Sequence, residues 1–357
     1  MKVTNIVRRR TSGRLAAFIV AAALAGCTPP SEPSSDSAPP TEAALLESAR
    51  AIHQKALVLD AHADIVAPST AANFLSADGL SKVDPSKLKA GAVGAVVMAI
   101  AVGPGPRTPA GDADARAEAD EKLAAVRTLA AANADTLTIA TTADEVVAAR
   151  AGRKTALILG FQNARALEGK ASTIDAFYQA GVRVFALNHL AHNDFSDSSR
   201  PMHDPATGLY EPDAHGGLSA LGLAAIDRIN TLGGIVDVSQ ASKASTLATI
   251  ARSKTPVIAS HSNIRAISDA TRNLSDEEID RIGETGGVIH VAPFAAYLIN
   301  FSTPEKLEAI SKARQAAGLP ETYSYPTNST GNFPIQLPGR RSPAQFARRL
   351  GRRLSTP

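Results

Sequence analysis

The feature that most constrains this sequence is an alternation of short apolar runs with alanine-rich segments of helical character. Many residues of the apolar runs are β-branched, which favours strands, and the lack of a polar face indicates burial on both sides. Parallel strands joined by helices produce this pattern, so the expected fold class is α/β, a (β/α)8 TIM-like barrel. The predicted strands span residues 57–59, 92–102, 136–140, 156–161, 182–187, 234–238, 256–259 and 287–291, and the clearest predicted helices span 113–132, 221–231 and 276–284.

Polar residues cluster where the predicted strands end, which is where barrels of this kind carry their functional groups. His62 and Asp64 follow the first strand, and side chains two residues apart on a strand share a face. An imidazole and a carboxylate suit a metal ion, although such a pair alone also fits a solvated turn. His189 and His261 close the fifth and seventh strands. Since packing does not readily explain a histidine at three strand ends, we predict that they converge on one centre.

The remaining histidines give weaker signals. His53, His203 and His215 lie in helix or loop sequence, so we expect them at the surface. His290 lies within a predicted strand and is expected to be structural.

The positive charge of the chain comes from its two ends. The 37 Lys+Arg and 34 Asp+Glu residues give a net charge of +3 and a pI near 9.0. Residues 1–26 carry five basic residues and residues 322–357 carry six, without an acid in either segment. The chain between them has a charge of −8. An acidic body with 4% aromatic residues opposes nucleic-acid binding, so no nucleic-acid partner is expected.

The first residues have the pattern of an export signal. A basic stretch precedes an apolar run at 15–25, which is shorter than the roughly 20 residues of a membrane-spanning helix. The sequence Leu-Ala-Gly-Cys resembles a bacterial lipoprotein signal, which implies lipidation of Cys27; an ordinary signal with a coincidental cysteine is the alternative. We therefore predict a lipoprotein signal peptide at 1–26 and a Pro/Ser-rich tether at 27–41.

Six motifs occur in an order that resembles a known family. They are VLDAHADI, GFQN, GVRVFALNH, GLSALGLAAIDRINTLGGIVDVSQ, TPVIASHSNIRAI and RNLSDEEIDRIGETGGVIHV, and they cover about residues 50–295. Their combination resembles the membrane (renal-type) dipeptidases, peptidase family M19, which have metal-dependent amidohydrolase-type barrels. The resemblance implies a zinc dipeptidase with a binuclear centre and a bridging hydroxide, and a pocket that tolerates a D-residue at the C-terminal position.

The resemblance also implies roles for individual residues. His62 and Asp64 would bind the first metal, and His261 would bind the second. His189 would lie near the substrate carbonyl and stabilise the oxyanion. Arg272 would bind the dipeptide carboxylate as a charged fork.

The sequence departs from the family at two metal positions. Gln162 stands where the bridging glutamate is expected, and Gln240 stands where a further histidine is expected on the second metal. A neutral amide compensates the charge of two adjacent divalent ions poorly, so we expect either one ion, held by His62 and Asp64 and joined by His261, or a weak second site. Glu168 lies six residues beyond Gln162 and is expected in the following loop.

A third departure concerns the last barrel strand. The family carries a Gly-Ser-Asp-Phe-Asp-Gly-like motif there, and this sequence has none. The barrel domain is predicted to span 42–325 and to be followed at 326–357 by an atypical basic tail, through truncation or a shifted reading frame. We expect that the barrel lacks its last strand, which would expose strand edges.

Two functions follow from these observations. The first is a zinc-dependent dipeptidase, anchored by lipid on the periplasmic side of the cell envelope, with the outer membrane as the expected site and a homodimer implied by the family. The second is a non-catalytic lipoprotein that binds peptides or cell-wall fragments.

Overall fold

The computed structural model describes residues 41–70, 75–204 and 209–298, together with positions 309, 312 and 316. The predicted signal peptide, Cys27, the predicted tether before Thr41 and the predicted basic tail lie outside the described residues. The chain divides into two compact units, of which one ends at Ala51 and the other begins at Ile52. The barrel described below belongs to the second unit.

One eight-stranded parallel sheet forms the barrel wall, with seven strands in its continuous order and one paired only beside a neighbour, and each corresponds to a predicted strand. They are β1 (Val58–Asp64), β2 (Val93–Ala101), β3 (Leu137–Ile139), β4 (Thr155–Gln162), β5 (Val182–Ala186), β8 (Ile235–Asp237), β9 (Ile258–Ser262) and β10 (Val288–Val291). Two further strands, β6 (His203–Asp204) and β7 (Leu209–Tyr210), form a small antiparallel pair. The predicted (β/α)8 fold is confirmed.

The helices lie mostly between the strands, as a (β/α) barrel requires. They are α1 (Glu42–Lys55), α2 (Pro85–Ala90), α3 (Pro109–Ala132), α4 (Ala143–Ala151), α5 (Ile174–Gln179), α6 (Ala220–Leu232), α7 (Lys243–Arg252), α8 (Asp276–Glu284) and α9 (Ala295–Leu298). Side-chain caps explain where several of them begin: in α8, Ser275 and Glu278 form a reciprocal capping box. The three helices predicted from the sequence are confirmed. Within the described residues, no helix has the length and apolar character needed to cross a membrane.

The strand order positions the functional residues. The sheet runs β1-β2-β4-β5-β8-β9-β10, and β3 pairs with the first part of β4. Gln162 is paired with Ala186, which is paired with Asp237, so the carboxyl ends of β4, β5 and β8 are aligned. Side chains that follow these three ends are therefore brought together at one end of the barrel.

Aromatic and aliphatic side chains fill the core. Phe161 and Phe177 have ring centroids 4.8 Å apart, and Phe161 and Phe185 have centroids 5.9 Å apart. All three rings are almost fully buried, as are Leu157 and Ile226. Such packing fixes the strand ends that carry the polar residues.

The barrel has an open seam among the described residues. β1 and β10 are the ends of the strand order, and no described ladder joins them. Val288 and Val291 of β10 are 51% and 61% exposed. Over the described residues this agrees with the expectation of a barrel without its closing strand.

Candidate active site

β1 and β9 bring two of the predicted histidines into direct contact. The imidazole rings of His62 and His261 are stacked, with centroids 3.7 Å apart and an interplanar angle of 22°. Ala61 and Ala63 of β1 are buried, so His62 and Asp64 alternate with them on the other face of the strand. The stacking brings the ends of β1 and β9 together at these two rings.

The histidines of this region are neutral near pH 7. Burial lowers the pKa of His62, although the carboxylates of Asp237 and Asp64 oppose the shift. Burial lowers the pKa of His189 to about 4, against a backbone hydrogen bond to Val102. Burial, with the neighbouring His62 and Arg272, holds the pKa of His261 well below its ordinary value. Uncharged imidazoles retain one ring nitrogen with a lone pair.

The two glutamines at the predicted metal positions bond to each other. Gln162 Nε2 donates to Gln240 Oε1 at 2.7 Å, and His261 Nε2 lies 3.1 Å from the same oxygen. The contact places His261 Nε2 against the amide of Gln240. Gln162 Oε1 is buried and has no hydrogen-bond partner among the described residues. The two glutamines and His261 thus contact one another, and Gln162 Oε1 is left without a partner among the described residues.

The backbone at Gln240 is held in an unusual conformation. Its φ of 64° lies in the left-handed region, which is costly for a residue other than glycine. Its carbonyl oxygen accepts bonds from Ser199 N at 2.9 Å and Ser199 Oγ at 3.0 Å, and Ser198 Oγ lies 3.2 Å away. These contacts fix the point from which the Gln240 side chain projects.

The other ring nitrogen of His261 contacts a hydroxyl. Ser260 Oγ lies 2.7 Å from His261 Nδ1 and 2.5 Å from Asp237 Oδ2. Asp237 also accepts from the backbone N–H groups of Ser239 and Ser260. Asp237 is therefore a buried carboxylate that orients the serine beside His261, a role that the sequence interpretation did not assign.

His189 lies in the segment after β5, as predicted. Its Nδ1 lies 3.0 Å from the carbonyl oxygen of Val102, so Nδ1 carries the proton. In the neutral ring Nε2 then has a lone pair, and donation from Nε2 to an oxyanion requires a protonated ring. The histidine accordingly acts near pH 7 as an acceptor of a proton or of a hydrogen bond.

Arg272 is buried in the loop before α8. It is 5% exposed, its Nη2 donates to the carbonyl oxygen of His261, and its guanidinium lies 4.2 Å from the ring centroid of Tyr297. Burial lowers its pKa, opposed by Tyr297 and Asp237. The hydrogen bond to the backbone of His261 thus holds Arg272, the predicted carboxylate-binding residue, beside the end of β9.

Two predicted surface or loop residues have clear positions. Glu168 is exposed at the left-handed end of the turn that follows β4, 3.8 Å from Arg116, so its predicted loop location is confirmed. His53 is exposed, as predicted, and its Nε2 lies 2.8 Å from the carbonyl oxygen of Gly91.

The prediction of a plain surface residue was wrong for His215. It is half-buried, and its Nε2 lies 2.8 Å from the carbonyl oxygen of Asn193. The ring fills a space between loop segments, which single-sequence patterns do not show. The side chain of His203 lies outside the described residues, and His290 is half-buried within β10.

A buried carboxylate organises the loop that carries His189. Asp197 is fully buried and accepts from the backbone N–H groups of Ala214, His215 and Gly217. His192 Nδ1 lies 3.5 Å from Asp197 Oδ1. The sequence interpretation did not predict this centre, for which the polar run after His189 was the available signal.

The donor set can be tested against the metals that the resemblance implies. Two divalent ions about 4 Å apart repel by on the order of 16 kcal/mol at an effective dielectric constant of 20. They need compensating carboxylates, and both glutamine positions are neutral. Among the described residues, no three His, Cys, Asp or Glu side chains are grouped so as to hold an ion. The set does not fit two ions; His62 and Asp64, on one face of β1, offer an imidazole and a carboxylate to one ion, with water as a further ligand.

Comparison with known proteins agrees with the motifs. The family model described as membrane dipeptidase (peptidase family M19) matches residues 46–323. Dipeptidase aclJ of Aspergillus oryzae is 31% identical over 140 residues, which are 39% of this chain and 31% of that protein. An uncharacterized dipeptidase of Schizosaccharomyces pombe is 33% identical over 150 residues, 42% of this chain and 34% of that protein. The matched segment thus spans about a third of the length of each of these two relatives.

Solved structures share the fold. The probable dipeptidase PvdM from Pseudomonas aeruginosa has 30% identity and a TM-score of 0.69, over 83% of this chain and 76% of that one. A metallo peptidase from Rhodobacter sphaeroides, with a bound phosphinate mimic of the dipeptide L-Ala-D-Ala, has 19% identity and a TM-score of 0.57. That match covers 74% of this chain and 93% of the other, and it concerns the fold alone.

Proposed function

The chain belongs to the membrane dipeptidases, the metallopeptidases of family M19, and from this premise we propose that it is a zinc-dependent dipeptidase. The observation that carries the proposal is the contact of Arg272 with the backbone of His261, whose ring is stacked on His62. A group for the substrate carboxylate and two imidazoles thereby lie at one end of the barrel. In a dipeptide the only peptide bond lies one residue from the C-terminal carboxylate, so both groups can reach one small site.

The residues of this chain have separable parts in the reaction. Arg272 binds the carboxylate of the dipeptide through its guanidinium fork. Hydrolysis adds the hydroxyl of water to the carbonyl carbon, breaks the C–N bond, and transfers a proton to the amine. With its lone pair at Nε2, His189 accepts a proton or a hydrogen bond on the substrate side, whereas oxyanion stabilisation requires the protonated ring.

Zinc is the proposed cofactor, with His62 and Asp64 as its ligands. When bound, it supplies a Lewis acid and lowers the pKa of a coordinated water. The amides of Gln162 and Gln240 would not compensate the charge of a second ion at His261.

The proposed substrates include dipeptides with a D-residue at the C-terminal position. The match of the chain to the membrane dipeptidase family supports this range.

A second candidate is dipeptide binding without hydrolysis. The hydrogen bond between Gln162 and Gln240 favours this second candidate. It occupies two side chains that stand where the family has metal ligands. Arg272 and His189 would bind the ligand in either case.

Both candidates are tested by one set of measurements on the full chain. Zinc content, hydrolysis of a panel of L-L and L-D dipeptides, and dipeptide binding by calorimetry are measured together with His62→Ala. The dipeptidase proposal predicts about one zinc per chain and turnover that is lost in His62→Ala. Binding without turnover above that control would select the second candidate, and absence of both binding and turnover would contradict both.

We also propose export and lipid anchoring through Cys27, and association as a homodimer. The signal-like residues 1–26 support the first, and the family resemblance supports the second. Palmitate labelling that is lost in Cys27→Ala tests the anchor, and sedimentation of the purified protein tests the dimer.

A further inference from the structure

We infer that the hydrogen bond between Gln162 and Gln240 replaces the second metal ion, so that His261 is positioned without metal and the chain binds no more than one ion. This inference rests on the proposed metal site and concerns its stoichiometry. Its basis is that Gln240 Oε1 and both ring nitrogens of His261, which a second ion would need, already have polar partners.

The amide oxygen of Gln240 already has two polar neighbours. It accepts from Gln162 Nε2 at 2.7 Å, and His261 Nε2 lies 3.1 Å away. An ion at this oxygen would have to displace one of them.

His261 is engaged at both ring nitrogens. Nε2 lies 3.1 Å from Gln240 Oε1, and Nδ1 lies 2.7 Å from Ser260 Oγ, whose hydroxyl donates to Asp237. A histidine binds a metal only through an unprotonated ring nitrogen. Binding of a second ion at Nε2 would require loss of the Gln240 contact.

The two glutamines cannot readily turn away from each other. Gln162 and Gln240 are 2% and 4% exposed, and Gln162 is the last residue of β4, paired with both neighbouring strands. The backbone of Gln240 is held by Ser199. The hydrogen bond between the two side-chain amides thus links β4 to the segment after β8. The contact with His261 extends this link to β9, so the three elements are connected without an ion.

The test compares zinc stoichiometry and thermal stability in the full chain. The wild type is expected to bind at most one zinc per chain in equilibrium dialysis. It is expected to remain folded in excess EDTA, because the hydrogen bond between the two glutamines needs no metal. The double variant Gln162→Glu/Gln240→His is expected to bind two, with at least tenfold tighter binding of the second ion than in the wild type. The exposed pair Gln179→Glu/Gln54→His is the matched control and should keep the wild-type stoichiometry.

Either of two zinc-binding outcomes would overturn the inference. One is binding of two zinc ions by the wild type; the other is a folded double variant, by circular dichroism, that gains no second ion. Because the double variant can fail to fold, Gln162→Leu is measured in EDTA as well, and its Tm should fall since Gln240 loses its donor. An unchanged Tm would contradict the inference.

Dipeptide binding and turnover are recorded separately. Their absence would contradict the proposed function and would leave the ion count of the wild type as the measure of this inference.

Discussion

The hydroxyl of Ser198 donates to the carbonyl oxygen of His189 across 2.6 Å and lies 3.2 Å from the carbonyl oxygen of Gln240. One short side chain therefore lies between the predicted substrate-side histidine and the residue that contacts His261. The segment after β5 and the segment after β8 are joined at this point.

Replacement of Ser198 by alanine should destabilise the protein by about 1–2 kcal/mol, because the buried carbonyl oxygen of His189 loses its donor. Ser199→Ala is the matched control. It removes a hydroxyl that bonds to Gln240, whose carbonyl oxygen keeps the backbone N–H of Ser199. Urea unfolding of the two variants measures the difference, and equal loss in both would contradict a special role for Ser198.

The low pKa of His189, about 4, makes stability depend on pH. Its folded pKa lies below the ordinary value of 6.5, so between these values the unfolded chain binds more protons than the folded one. The stabilisation is complete above about pH 6.5 and is lost as the pH falls towards 4. The full shift corresponds to an upper limit of about 3 kcal/mol before solvent screening.

Urea unfolding at pH 7.5, 6 and 5 in the presence of EDTA measures this dependence. His62 and His261 also have lowered pKa values and contribute in the same direction. His189→Asn cannot titrate and should flatten the profile without abolishing it. An identical profile in wild type and variant would show that His189 does not contribute.

The strands could be predicted because buried parallel strands leave apolar runs in the sequence, whatever the chain does. The shared face of His62 and Asp64 follows from strand alternation alone. The bond between Gln162 and Gln240 could not be predicted, because it joins residues 78 positions apart. It depends on the alignment of Gln162, Ala186 and Asp237 across three strands. The pair β6 and β7 was missed since each strand has only two residues, too few to show a period.

Asp197 should be among the most sensitive positions of the barrel. Burial alone would raise its pKa, but the backbone N–H groups of Gly217, His215 and Ala214 outweigh burial and the net pKa is lowered. Asp197→Ala leaves these N–H groups without their acceptor and should cost about 3–5 kcal/mol. Asp197→Asn retains one acceptor oxygen and should cost less.

Thermal unfolding of both Asp197 variants checks this order. Asp227→Ala removes an exposed carboxylate that pairs with Arg252 and is expected to cost little, because solvent screens such a pair. A cost at Asp197 no larger than that at Asp227 would show that the loop does not depend on the buried carboxylate.

Arg272→Lys separates the charge of the proposed carboxylate site from its geometry. Lysine keeps the charge but loses the planar fork, the bond to His261 and part of the stacking on Tyr297. Dipeptide affinity should therefore fall at least tenfold, or about 1.4 kcal/mol. Calorimetry in EDTA prevents turnover, and Arg252→Lys, in an exposed ion pair, is the control. The same dipeptide with a C-terminal amide should bind both proteins equally weakly, because it lacks the carboxylate that the fork recognises. Equal affinity of wild type and Arg272→Lys for the free acid would place the carboxylate elsewhere.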